Sequence, residues 1–246
     1  MTSALSIYIL TSRNIGQNKA IEAVANNVAN ASTTGYKKQG VDFETLVGGS
    51  TSQPSGQFSR DRGFRTDFSA GDMDRTDNPL DMAIGGDGFF AVQGQNGGPI
   101  RYTRDGHFTL DQNRNLVTMR GENVLDRDKT PINIPVEYTF DVASDGTVSN
   151  KDGSIAQIGV FKFAPNAPLL RVGDNEFSAG KAVSTAADAA DYKVFTGMVE
   201  GSNVNPVMET VKMQEVSRSY QNSSRLISRL EDLEDRAIRD LGKPAQ

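Results

Sequence analysis

From Ser3 to about Asn30, Ile7, Leu10, Asn14, Gln17, Ile21, Val24 and Val28 recur at alternating steps of three and four, a heptad-like stripe with two polar members. The stretch has no proline and a single glycine, Gly16. Thr2 or Ser3 can cap its start, and the run Asn30 to Gly35 breaks it, so it is predicted to be a helix. A second stripe closes the chain. Val216, Tyr220, Ile227, Leu230, Ala237 and Leu241 fall on heptad steps, widened by Leu226 and Leu233. Asn205 supplies a cap, Pro206 fits the first turn, and Gly242 and Pro244 stop the helix. At ~1.5 Å per residue this second helix is a rod of roughly 54 Å. Single stripes of this kind are unstable alone in water, so the helices must pair with each other, with neighbouring copies, or both.

Between the helices, from Gly40 to about Asn203, the pattern changes to glycine and proline punctuation around short β-branched and aromatic runs. Phe89–Val92, Tyr102-Thr103, Phe108–Leu110, Leu116–Thr118, Ile132–Ile134 and Ile158–Phe163 read as strands. Asp105-Gly106, Asp145-Gly146 and Asp152-Gly153 read as tight turns. Gly48 to Ala70 is rich in Ser, Gly, Gln and Arg and poor in aliphatics, and is predicted to be extended or partly mobile.

Composition narrows the chemistry. The 246 residues include no cysteine and one histidine, His107. Disulfides, thiolate metal sites and cysteine nucleophiles are excluded, as is a multi-histidine metal centre within one chain. The net charge of −5 is uneven. Arg13, Lys19, Lys37 and Lys38 outweigh Glu22 in the first forty residues and the last helix is balanced, so the acidic surplus lies in the middle. That argues against nucleic acid as a partner. No apolar run reaches the ~18 residues of a membrane span, and no secretory signal peptide is visible at the start, so no membrane insertion is expected.

Three constellations invite chemistry and none compels it. Gly85-Gly86-Asp87-Gly88 is followed by a predicted strand rather than the helix a phosphate loop requires. Asp111, Asn113, Asn115 and Glu122 have EF-hand-like spacing, but Leu116 replaces the essential glycine, and an Asx turn uses the same residues. His107 has Asp105 two residues away but no nucleophile elbow in the chain. No cofactor, metal, small-molecule substrate or catalytic residue is therefore assigned, and the chain is expected not to be an enzyme. Ala25-Asn26-Asn27-Val28-Ala29-Asn30 is different. Amides that donate and accept at once, at a helix end, suit close packing between subunits or turning the chain out of the helix.

That Asn-rich segment, followed by Thr33-Thr34-Gly35-Tyr36-Lys37, resembles the N-terminal signature of bacterial flagellar rod and hook proteins. Asp81–Phe90 and Tyr102–Phe108 resemble the family's central β motifs, and Val199–Val207 its C-terminal signature. Chain length and the segments Met73–Asp81 and Glu200–Val204 are most similar to proximal-rod members, with distal-rod members the near alternative. The resemblance implies an α+β fold: long N- and C-terminal helices pairing as a coiled coil near the filament axis, around a central, mainly antiparallel β domain that faces outward. The expected organisation is an axial helix and signature over 1–35, an extended connection over 36–80, the β domain over 81–200 and an axial helix over 201–246.

The function implied is that of a structural subunit of the proximal rod. It would polymerise helically with copies of itself and with other proximal- and distal-rod proteins into a torque-transmitting shaft across the periplasm, after export through the flagellar type III apparatus without signal cleavage. The assembly interface is expected at Ile7, Leu10, Ile21, Val24, Asn26, Asn27, Val28 and Asn30 with Val216, Tyr220, Ile227, Leu230 and Leu233. A secreted glycan-binding β module, with helices that serve only to oligomerise it, is the reading from another class.

Overall fold

The computed structural model describes residues 2–48, 56–94, 97–135, 140–151, 153–164, 167–173, 175–180, 184–187 and 191–241, with side chains over 2–8, 43–48, 56–62, 238 and 240–241 left aside. The chain forms two compact units. The first comprises Met1–Ala31, Lys38–Phe68 and Val204–Gln246, the second Ser32–Lys37 and Ser69–Asn203.

Unit 1 holds α1 (Thr2–Ala29), a hairpin of β1 (Gln39–Gly48) and β2 (Gly56–Thr66), and α2 (Pro206–Leu241). The hairpin runs in antiparallel register from Gln39 opposite Thr66 to Gly48 opposite Gly56, with a bulge at Asp42/Phe43. β2 thus crosses the segment predicted to be extended or mobile, where few aliphatics announced a strand. The cap at α2 forms as predicted: Asn205 Oδ1 accepts the backbone N–H groups of Val207 and Met208, both at 3.1 Å.

The pairing of the helices departs from the expected coiled coil. A coiled coil needs apolar knobs interdigitating along one continuous seam. Among the described residues of α2 only Glu209 and Ser223 are buried; Val216, Tyr220, Ile227 and Leu230 are half-buried, and Leu226 and Leu233 are exposed. Small and polar residues meet where the helices touch. Gln17 Nε2 donates to Ser219 Oγ at 2.6 Å, and Gly16, Gln17 and Ala20 face Glu215, Val216 and Ser219 across an open cleft of about 460 Å³. With the apolar positions of α2 no more than half-buried, the seam is not sealed. The α+β class stands; the coiled coil does not.

Unit 2 is built from antiparallel strands. Its largest sheet follows the order β14 (Leu170–Gly173), β15 (Glu176–Ser178), β6 (Arg101–Thr103), β5 (Phe89–Gln93), β9 (Asn123–Val124), β8 (Leu116–Thr118), β7 (Phe108–Leu110), with β13 (Val160–Lys162) pairing both β5 and β16 (Thr185–Ala186). Around it β3 (Met73–Arg75) pairs β18 (Met198–Glu200), β4 (Met82–Gly86) pairs β17 (Tyr192–Thr196), and β10 (Asp141–Val142), β11 (Thr147–Asn150) and β12 (Gly153–Gln157) form a meander. The core gathers Met82, Ile84, Phe90, Val92, Phe108, Leu116, Val124, Ile132, Ile134 and Ile158. Phe90 and Phe108 meet edge to face with centroids 5.1 Å apart.

The predicted turns divide. Asp145-Gly146 turns β10 into β11, with Gly146 at φ +82° and Asp145 Oδ1 accepting Thr147 N–H. Asp152 of the third dipeptide lies outside the described residues. Asp105-Gly106 is not a hairpin turn, because β6 pairs β5 and β15 while β7 pairs β8. It is a close crossing: Gly106 O accepts Met82 N–H at 3.0 Å, and a Cβ on Gly106 would lie 1.6 Å from Met82 O. Only glycine fits. Gly106→Ala is expected to lower the stability of unit 2 by about 2–4 kcal/mol, since the added methyl meets backbone that cannot yield, and urea unfolding of the full chain measures it.

Candidate functional site

Each half of the structure ties several segments of the chain to a buried carboxylate. In unit 2 it is Glu200, at the end of β18. Glu200 Oε1 accepts from Lys37 Nζ at 2.6 Å and from Gly71 N–H at 2.9 Å, while Oε2 accepts from Arg104 at 3.1 Å. The Lys37 and Glu200 side chains are 0% exposed. Two cations around one carboxylate leave an excess positive charge away from water, and backbone carbonyls offset it. Lys37 donates also to Ser69 O at 2.7 Å, and Arg104 to Ile84 O at 3.3 Å and Gly86 O at 2.8 Å. The backbone follows the charges. Gly35 N–H donates to Glu200 O, Gly201 N–H to Asp72 O, and Asn203 Nδ2 to Ser69 O. Gly35, at φ +66°, is indispensable here, because a Cβ would lie 2.4 Å from Asp105 N. Segments 34–37, 69–72, 104–105 and 200–203 are thereby tied at one point.

In unit 1 the carboxylate is Glu209, in the first turn of α2. Its Oε2 accepts from Asn27 Nδ2 at 3.0 Å, and its Oε1 lies 2.7 Å from Lys38 Nζ. Asn27 completes the site in the manner of a strand neighbour: Nδ2 donates to Gln39 O and Oδ1 accepts Gln39 N–H, both at 2.8 Å. One amide therefore binds the end of α1 to the start of β1 and to α2. Burial pushes the Glu209 carboxyl up, but the hydrogen bonds from Lys38 and Asn27 and the Lys38 and Lys212 charges outweigh it and hold the group below its usual 4.5.

Asn27 is fully enclosed, whereas Asn26 is exposed and Asn30 is half-buried, donating to Asn26 O at 2.8 Å. Of the other residues expected at an assembly interface, Val24 is buried, and Leu10, Ile21, Val28, Val216, Tyr220, Ile227 and Leu230 are half-buried. Leu233 is exposed, and the side chain of Ile7 lies outside the described residues.

The constellations that invited chemistry have structural occupations. Gly85 and Gly86 end β4 and lead into strand β5. Asp111 forms an Asx turn, Oδ1 accepting the N–H groups of Asn113 and Asn115, both at 2.8 Å. His107 Nδ1 lies 3.3 Å from Asp81 Oδ1, and its N–H donates to Asp105 Oδ1, so both carboxylates brace the crossing at Gly106. Among the described residues no group of His, Cys, Asp and Glu is placed to hold a metal ion, and no helix is long and apolar enough to cross a membrane.

Lys37, Arg104 and Glu200 each lie in a different signature segment, and the comparisons with known proteins recover the same three regions. A family model described as flagella basal body rod protein matches residues 7–37, the flagellar hook protein FlgE/F/G D1 domain matches 83–150, and the flagellar basal body rod FlgEFG protein C-terminal matches 196–240. A flagellar basal-body rod protein FlgF of Mesorhizobium japonicum is 32% identical over 96% of this chain and 98% of its own length. That of Caulobacter vibrioides is 35% identical over 97% and 98%. The chain belongs to the flagellar basal-body rod protein family. A rod protein FlgG of Bacillus subtilis matches as well, 30% identical over 87% of this chain and 90% of its own, so the FlgF-type likeness is the more complete. Rod proteins are structural parts, and this chain is a structural protein rather than an enzyme.

The buried ions were the residues that sequence reasoning passed over. Lys37 and Glu200 stood inside the quoted signatures, but a charge in such a segment reads as solvated, and nothing in linear spacing pairs position 37 with 104 and 200. Removing one partner of such a site strands the others away from water. Glu200→Gln is expected to cost about 3–5 kcal/mol, and Lys37→Met to cost far less when added to Glu200→Gln than alone; urea unfolding measures both, and simple additivity would refute the shared site.

Two carboxylates, one in each unit, respond to acid in opposite directions. Glu209, held low, adds stability that is complete above pH 4.5 and is lost as the pH falls through its folded value. Asp105 lies above its usual 3.8, raised by burial and by the Asp81 charge against the lowering effect of the His107 N–H and of the His107 and Arg120 charges. Ionising it therefore costs stability as the pH rises through that raised value. Glu209→Gln should flatten the acid-side loss in a urea-midpoint series, and Asp105→Asn should raise the midpoint at neutral pH.

Proposed function

We propose that this chain is an axial subunit of the proximal part of the flagellar rod. Many copies stack helically, in contact with other proximal- and distal-rod proteins, into the shaft that carries motor torque across the periplasm. Export is through the flagellar type III apparatus without signal cleavage. The observation that carries this reading is likeness to FlgF rod proteins over nearly the whole chain, helices and β region together.

The two-unit construction supports it. Unit 1 brings both long helices together and leaves much of their surface open, as an assembling part requires, while unit 2 has a closed core of its own. Leu10, Ile21, Val28, Tyr220, Ile227 and Leu230, half-buried in one chain, have apolar area still to lose on contact with neighbours. Contacts of this sort that do not close on themselves generate filaments.

Deleting the gene from its host is expected to abolish swimming and leave basal bodies without a complete rod, and a plasmid copy to restore both. Undiminished swimming, or absence of the chain from purified basal bodies, would overturn the assignment.

A further inference from the structure

β14 is an outer strand of the largest sheet, held by a single neighbour. It pairs with β15, from Leu170 opposite Ser178 to Gly173 opposite Glu176, and the register shifts between Arg171 and Gly173. Leu170 and Val172 are 64% and 50% exposed, and Gly173 is exposed as well. An edge strand that buries so little apolar surface belongs to the low end of local stability.

Arg171 is the strand's inward anchor. Its guanidinium lies 4.6 Å from the centre of the Tyr36 ring and 5.2 Å from that of Phe177. Nη2 donates to Lys37 O at 2.5 Å and Nη1 to Asn175 Oδ1 at 3.4 Å. Asn175, buried at φ +60° just before β15, braces the same segment: its Nδ2 donates to Thr34 O at 3.1 Å, while its own carbonyl accepts from Thr103 Oγ1. Together the two side chains grip Thr34, Tyr36 and Lys37, the stretch that brings Lys37 to Glu200, all within unit 2. The grip is incomplete. Arg171 Nε is buried without a hydrogen-bond partner, and burial draws the guanidinium below its ordinary pKa, with Tyr36 acting the other way. Stacking and hydrogen bonds are set here against desolvation of a charge, on a strand with little else to hold it.

We propose that β14 is a strap, closed by Arg171 over Tyr36 and Lys37, whose local opening loosens the Thr34–Lys37 segment while the core of unit 2 stays folded. In the closed state Tyr36 is 2% exposed and the Lys37 carbonyl has a charged donor. In the open state water reaches both, and the segment keeps only its bonds to Glu200 and its own turn, in which Tyr36 N–H donates to Thr33 O. Few bonds separate the two states, so the strap sets how firmly the chain is held where it leaves α1, independently of the sheet core.

Hydrogen exchange followed by mass spectrometry tests it, on the full chain and at urea concentrations below the unfolding transition. Residues 170–173 and 33–37 are expected to exchange about tenfold or more faster than 89–92 and 116–118, and with little dependence on urea, because the opening exposes little surface. Arg171→Met should quicken exchange in both 170–173 and 33–37 by about tenfold or more, although the second segment is remote in sequence from the substitution. Asn175→Gly carries the test if Arg171→Met fails to fold, since glycine accepts φ +60° and the change removes only the bonds to Arg171 and Thr34; it should quicken the same two segments. Exchange of 33–37 at the rate and urea dependence of the core overturns the proposal, as does a variant in which 170–173 quickens and 33–37 does not. None of these readouts involves assembly, so the rod reading stands or falls separately.

Discussion

The Glu200 carboxylate, between Lys37 and Arg104, is the interaction on which unit 2 depends. No nearby water can solvate it, so every lone pair and every N–H around it must find protein. That requirement brings the chain ends of the unit to one place: Lys37 comes from before the β region, Glu200 from after it, and Gly71 and Arg104 from within. An apolar contact would tolerate a shift of half an ångström; a buried ion with short hydrogen bonds does not. The site thus fixes where the chain enters and leaves the β structure, and the sheets need only fill the space between.

Unit 1 uses the same device on a smaller scale. Glu209 is held by Asn27 and Lys38, and Asn27 lends its amide to Gln39 as though it were another strand. Consecutive lysines, Lys37 and Lys38, therefore serve different carboxylates in different units, as side chains that alternate along an extended backbone can do. The bonds from Asn27 to Gln39 account for one of the amides at the end of α1. An aliphatic there would seal the helix end but leave Gln39 N–H and C=O without partners.

For an axial subunit the division is physically useful. A unit closed by a buried ion site resists deformation, since each of its bonds is costly to break, while helices joined by small and polar residues keep apolar surface for neighbours. A cleft lies open beside Gly16 and Ala20, and the buried amide oxygens of Asn14 and Gln17 accept no hydrogen bond within the chain. A coiled coil within one chain would have consumed that surface.

Periodicity and punctuation in the sequence were sufficient for both helices, the Asn205 cap and most strands of the large sheet, because those depend on neighbours within a few residues. They also placed the charge and, through the signature segments, the family. What they could not reach depends on distance along the chain. Strand β2 has no aliphatic pattern and exists because β1 lies opposite; Asp105-Gly106 looks like a turn and is a crossing because Met82 occupies the space a side chain would need. Heptad spacing announced a stripe on α2 without saying how much of it α1 would cover. Nor did three charges at 37, 104 and 200 reveal that they share one site. Local hydrogen bonding and amphipathicity are written residue by residue, but burial is a property of what the rest of the chain places alongside, and only the tertiary structure decided which charges lost their water and which apolar face kept it.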